Sequence, residues 1–190
     1  CGREGNNVVV FDPEHTDREL GRFALPRQRS GNRYCIADFY RDLPRTVDGR
    51  PSASDVLPMQ AVTMGERATS FAQELFRGDR YSDYLYFHGL AVQMAEALAE
   101  WVHARIRREM GFGEQEPEAL RDVLAQRYRG SRYSFGYPAC PDVEQQTVLM
   151  DLLDPSRIGV ELSEEFQLHP EQSTSALIVH HPEASYYNAG

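Results

Sequence analysis

The stretch from Asp83 to Met110 is the longest regular segment of the chain, and it restricts the fold more than any other. Phe87, Leu90, Met94, Leu98, Trp101 and Val102 recur there at the spacing of one helical face, and Gly111 follows as a C-cap. The spacing predicts one long helix over about 83–110, with its large apolar stripe set against a core. Gly89, Ala91, Ala95, Ala97 and Ala99 keep its other faces small, so that a neighbour can pack close. The basic run His103-Ala104-Arg105-Ile106-Arg107-Arg108 near its end reads as a complement to the helix dipole.

Around this helix the sequence mixes short strands and further helices. Val8-Val9-Val10-Phe11 is strand-like between Asn6-Asn7 and Asp12-Pro13, with Arg22 to Pro26 as its hairpin partner. Val56 to Thr63 reads as a strand whose Pro58 argues for an edge or a bulge, and Ile158 to Leu162 and Ser175 to His180 as two more. Helical spacing recurs over Gly65 to Phe76, where Gly78 supplies a stop, over Pro117 to about Arg129, and over Pro141 to Leu153. The run Leu43 to Ser54 reads as a surface loop. No βαβ rhythm and no Gly-rich strand-to-helix turn is present, which disfavours a doubly wound parallel sheet. The expectation is an α+β fold, a twisted antiparallel sheet flanked by helices.

Composition narrows the function classes. A chain of 190 residues fits one domain over 1–190, and its 41% hydrophobic and 26% charged residues are ordinary for a globular protein. The net charge of −9 offers no electrostatic reason to bind nucleic acid or anionic membranes, and apolar runs such as Ala176 to Val179 are too short to span a bilayer. Cys1, Cys35 and Cys140 form no Cys-x-x-Cys, so neither a zinc knuckle nor a disulfide framework is suggested, and free thiols fit a cytoplasmic location. His180 and His181, adjacent on a strand, point to opposite faces and suit no shared metal ion. The abrupt start just ahead of a strand-like segment suggests a piece of a longer polypeptide.

The segment Arg132 to Asp142 carries the chemistry. Two prolines and a glycine hold the backbone of Arg132-Tyr133-Ser134-Phe135-Gly136-Tyr137-Pro138-Ala139-Cys140-Pro141 in an extended course that offers N–H and C=O groups to a ligand. Arg132 suits a carboxylate. Tyr137, with Tyr186 and Tyr187 further on, supplies aromatic faces that attract a cation, including a sulfonium. A carboxylate clamp beside aromatic surfaces fits a zwitterionic ligand with a positive sulfur. No triad or carboxylate pair is evident, and Cys140 reads as a packed thiol behind the loop.

The pattern Arg-x-x-x-Gly-Tyr-Pro-Ala-Cys-Pro from Arg132 to Pro141 resembles the signature loop of the activation domain of cobalamin-dependent methionine synthases. Ala95-Glu96-Ala97-Leu98-Ala99-Glu100-Trp101-Val102-His103 is similar to that family's long-helix motif, and Ile158 to Glu164 to its downstream strand. His181-Pro182-Glu183-Ala184-Ser185-Tyr186-Tyr187 looks like its closing segment, and Tyr34 to Phe39 and Gln60 to Thr63 extend the likeness. The resemblance implies an S-adenosylmethionine site in which Arg132 binds the ligand carboxylate and Tyr137 and the backbone at Ser134 line it. Gly136, Pro138, Ala139 and Cys140 then belong to the same loop, Tyr186 and Tyr187 close the site, and Glu96 is an acidic contact from the long helix. Family members carry further residues ahead of this chain's start, including an acidic position for the ligand amine, so part of the N-terminal region is expected to be missing.

The resemblance further implies that such a domain serves reductive methylation of cob(II)alamin to methylcobalamin within methionine biosynthesis. Its partners would be the cobalamin-binding module of the same enzyme, a 5-methyltetrahydrofolate-homocysteine methyltransferase, and a flavodoxin-like or other reductase as electron donor. The domain alone is not expected to make methionine. Methyl transfer from a sulfonium to a strongly nucleophilic cobalt needs alignment more than acid or base help, so no catalytic residue and no metal ligand is assigned. The alternative is a non-catalytic module that senses S-adenosylmethionine or caps a corrinoid.

Overall fold

The computed structural model describes residues 1–44 and 53–189. Its axis is a helix α2, Tyr81–Glu109, preceded by α1, Glu66–Arg77, which packs along its first half. Gly78 closes α1, donating its N–H to the Glu74 carbonyl, as the sequence leads one to expect.

The buried face of α2 differs from the one its large residues suggest. Ala91, Ala95, Ala99, His103 and Arg107 turn inward, one every fourth residue. Leu90, Met94 and Trp101 are 57%, 48% and 56% exposed. Two physical reasons favour the inner row. Its alanines let the helix axis approach a sheet closely, and the sheet face beneath it carries polar side chains that need partners from the helix. The basic run near the helix end divides accordingly: Arg105 pairs with Glu109 at the surface, whereas His103 and Arg107 are buried.

That sheet has three antiparallel strands in the order β4 (Met59–Thr63), β8 (Ser173–Val179), β5 (Ser131–Ser134). β4 is an edge strand beginning just after Pro58, where a missing N–H disturbs no ladder. The register sets Arg132 against Ile178, Ser134 against Ala176 and Gln60 against Ala176, so these side chains share the face turned to α2. Tyr133, Leu177 and Val179 lie on the opposite face and enter the main core with Phe23, Cys35, Ile36, Phe39 and Leu149. A second antiparallel sheet, β1 (Gly2–Glu4), β2 (Asn7–Phe11) and β3 (Glu19–Ala24), closes that core, with Val8 opposite Phe23.

Three predicted elements are shorter than their sequence pattern. The helix expected over 117–129 survives as α3, Leu120–Leu124, because the chain turns at Gln126 with a positive φ of 54°. Pro141 leads into a 3-10 turn, Val143–Gln145, whose Glu144 amide donates to the Asp142 side chain, before α4, Gln146–Leu153. Ile158 closes a further 3-10 turn, Pro155–Ile158, and only Glu161–Leu162 (β6) is strand, paired with Leu168–His169 (β7). Much of the expected surface loop from Leu43 to Ser54 lies outside the described residues. Among the described residues no helix is long and apolar enough to cross a membrane.

Candidate functional site

The end of β5 and the turn after it build a cavity against α2. Alternation along the strand aims Arg132 and Ser134 the same way, and Glu96 meets them from the helix. Glu96, Gln126, Arg132, Ser134, Tyr137 and Tyr186 line a cavity of about 350 Å³. A larger cleft of about 660 Å³ shares Glu96 and Tyr137 and runs on past Gly136 to Gln172 and Ser175 on the β8 side. Tyr137 therefore stands between two concavities, with half of its surface exposed.

The turn that carries Tyr137 is held from both ends. Gly136 has a φ of +83°, and its N–H donates to the Cys140 carbonyl at 2.9 Å, while the Cys140 N–H donates to the Tyr137 carbonyl at 2.9 Å. A side chain at Gly136 would meet Val143 Cγ1 at 3.1 Å, so both the backbone angle and the space select glycine. Ala139 and Cys140 are buried and anchor the turn to the core. Burial above all, with Asp142 and Cys35 adding to it, pushes the Cys140 thiol up to about 12, which leaves it a packed, protonated group. The Pro138 carbonyl accepts from the Ala189 N–H at 3.0 Å, so the closing segment of the chain braces the turn.

Adjacent tyrosines on that closing segment point apart. Tyr186 stacks on Tyr133 with ring centroids 6.3 Å apart and 17° between planes, and it lines the cavity. Burial raises its phenol while the Ala139 amide pulls it the other way. Tyr187 is only 8% exposed and packs into the core against Tyr34 and Tyr133. Five of the side chains singled out from sequence (Glu96, Arg132, Ser134, Tyr137, Tyr186) thus come together at one cavity. Gly136, Pro138, Ala139 and Cys140 form its supporting turn, and Tyr187 lies inside.

The electrostatics centre on Arg132. Its Nη2 donates to Glu96 Oε2 at 3.0 Å, and its Nη1 lies 3.8 Å from Glu100 Oε2. Behind it stand residues that sequence reasoning did not single out for the site. Arg107 is almost fully buried, forks onto Glu116 through Nε and Nη2 at 2.5 and 2.8 Å, and sits 3.7 Å over the Tyr128 ring. Tyr128 donates its hydroxyl to Glu100 at 2.9 Å, and burial first, then Glu100, raises its phenol well above the usual range. Burial, followed by Arg107 and Arg132, pulls His103 down to about 3, so that ring is neutral. The spacing of Glu96, Glu100, His103 and Arg107 along one helical face was the available signal for this group. Gln126 joins the cavity through a left-handed turn residue that no periodicity marks.

A cation and an anion 3 Å apart on a cavity wall, flanked by two exposed phenol rings, suit the ammonium and carboxylate of an amino acid joined to a cationic, partly apolar body.

The sequence matches the family described as vitamin B12 dependent methionine synthase, activation domain, over residues 1–190. It is 50% identical over 192 residues to a methionine synthase of Mycobacterium tuberculosis and 49% identical over 192 residues to one of Mycobacterium leprae. Each alignment covers 97% of this chain and 16% of the relative, so the chain spans about one sixth of those proteins. A crystal structure of the MetH reactivation domain bound to AdoHcy matches with a TM-score of 0.87 at 26% identity, over 100% of this chain and 58% of that one.

Proposed function

The chain belongs to the family of vitamin B12 dependent methionine synthase activation domains, and from that premise we propose that it binds S-adenosylmethionine in the cavity beside Arg132 and presents it for reductive methylation of cob(II)alamin. The observation that carries the reading is the Arg132–Glu96 pair on the cavity wall between Tyr137 and Tyr186. A related domain bound to AdoHcy, the demethylated form of this ligand, supports it.

Arg132 gives up Glu96 to accept the ligand carboxylate, and Glu96, nearly half exposed, turns to the ligand ammonium. This exchange of one ion pair for two leaves Arg132, Glu96 and both charges of the ligand's amino-acid end paired. Tyr137 and Tyr186 present ring faces to the sulfonium and the adenosine. The turn from Gly136 to Cys140 supplies backbone groups and rigidity, and Tyr187 supports it from within the core. No described side chain is needed as an acid or base, since the chain's work is to fix direction and exclude water around sulfur. Cobalamin, held by another module of the same enzyme, would supply the cobalt that accepts the methyl group, with a flavodoxin-like or other reductase as the electron donor and S-adenosylhomocysteine as the product left on this chain. The setting proposed for this is the cytoplasm.

Titration calorimetry with S-adenosylmethionine tests the reading. Wild type binds, and Arg132→Ala loses about 2–5 kcal/mol of affinity, the cost of removing one partner of a hydrogen-bonded charge pair. Absence of binding by wild type would sink the proposal. Single-turnover methylation with the reduced cobalamin module then separates delivery of the methyl group from mere sensing of the ligand.

A further inference from the structure

We propose that Glu100, held by Tyr128 and Arg107, is the positioning residue that aims Arg132 at the ligand carboxylate. The inference rests on the reading of Arg132 given above and extends it to side chains that do not touch the ligand.

The two acids beside Arg132 are not equivalent. Glu96 lies on the cavity wall with its side chain 45% exposed, and it accepts a hydrogen bond from Arg132. Glu100, one turn further along α2, is 24% exposed and does not line the cavity. Its Oε2 accepts from the Tyr128 hydroxyl at 2.9 Å and its Oε1 from Arg107 Nη2 at 3.4 Å. Arg107 is in turn locked by the Glu116 fork and by the Tyr128 ring beneath it. A ligand carboxylate can therefore displace Glu96, whereas Glu100 stays where Tyr128 and Arg107 fix it.

Charge explains why a carboxylate is needed at that place. Glu100 stands between two guanidinium groups, 3.4 Å from one and 3.8 Å from the other. Without its charge Arg107, held by Glu116, repels Arg132 across a medium of low dielectric. His103 lies beside both cations and is neutral, so it offers no compensation. Arg132 Nη1 is buried and has no hydrogen-bond partner among the described residues, so the Coulomb attraction of Glu100 is what orients that edge of the guanidinium. The alternating row Glu116, Arg107, Glu100, Arg132 also joins α2 to the segment around Tyr128 that leads into β5.

The test compares two ligands in three proteins. Wild type, Glu100→Gln and Tyr128→Phe are titrated calorimetrically with S-adenosylmethionine and with decarboxylated S-adenosylmethionine, which keeps the sulfonium and adenosine but has no carboxylate. Glu100→Gln is expected to weaken S-adenosylmethionine about tenfold or more and to change the decarboxylated ligand less than about twofold. Tyr128→Phe, which frees Glu100 without removing its charge, gives a smaller loss with the same selectivity. Equal losses for both ligands, no loss, or tighter binding of S-adenosylmethionine would overturn the inference. Near-UV circular dichroism checks folding, and Tyr128→Phe alone decides if Glu100→Gln does not fold. If wild type itself does not distinguish the two ligands, the role of Arg132 falls and this inference with it. If wild type distinguishes them and both variants do so equally well, only the role of Glu100 falls.

Discussion

His103 sits on the buried row of α2 at 0% exposure, edge-on to Tyr128 at 5.3 Å, with neither ring nitrogen hydrogen-bonded among the described residues. Burial first, then Arg107 and Arg132, lowers it from its ordinary 6.5 to about 3. The unfolded chain takes up this proton near pH 6.5, whereas the folded chain does so only near pH 3. Between those values the unfolded state binds more protons, so the contribution to stability is complete above pH 6.5 and is lost progressively as the pH falls towards 3. From pH 7 to pH 5 this one ring removes about 2 kcal/mol, at 1.36 kcal/mol per unit of separation below the unfolded value. In a domain of this size that corresponds to a fall in Tm of about 4–8 °C. His103→Leu keeps about the same volume and cannot titrate. Urea denaturation of both proteins at pH 7 and pH 5 should show the variant losing about 2 kcal/mol less than wild type over that interval. Every other ionisable group is common to both proteins and cancels in the difference. At pH 7 the variant should be no less stable, because two buried ring nitrogens that lack partners are removed. Parallel losses in the two proteins would refute the claim that this histidine is buried and neutral.

Two further substitutions test the packing. Gly130 precedes β5 with a φ of +84°, and a Cβ there would lie 2.2 Å from the Val179 carbonyl oxygen, so Gly130→Ala should cost more than about 3 kcal/mol or prevent folding, as read by thermal denaturation. Met94→Gln, on the outward face of α2, should change stability by no more than about 0.5 kcal/mol, and a loss of the size seen for core methionines would show that this face is buried.

The contrast between Met94 and Ala95 shows where sequence patterning stops. α2 has two candidate inner faces, one of large apolar residues and one of alanines continued by His103 and Arg107. Hydrophobic spacing ranks the first higher, because it weighs a side chain by its own transfer energy and not by what lies opposite. What lies opposite here is the face of β5 that carries Arg132 and Ser134, and register is a non-local property that no window along the chain contains. The loop from Gly136 to Cys140 was readable as a backbone fixed by glycine and prolines because those constraints are local, although its course is a tight turn with a positive φ at Gly136 and not an extended one. Tyr186 and Tyr187 were read together as closing the site, whereas Tyr186 lines the cavity and Tyr187 packs into the core, as the period of two along an extended segment allows. Arg132 belongs to both kinds. Its place in the motif is local, while its aim depends on Glu100, Arg107 and Glu116, which are spread over α2 and the segment beyond it and meet only once that helix has settled on the sheet with its alanines inward. An arginine that reads as a clamp from its motif is therefore a clamp only as far as the helix behind it has chosen the right face, and the selectivity of Glu100→Gln and the stability of Met94→Gln measure the two halves of that dependence separately.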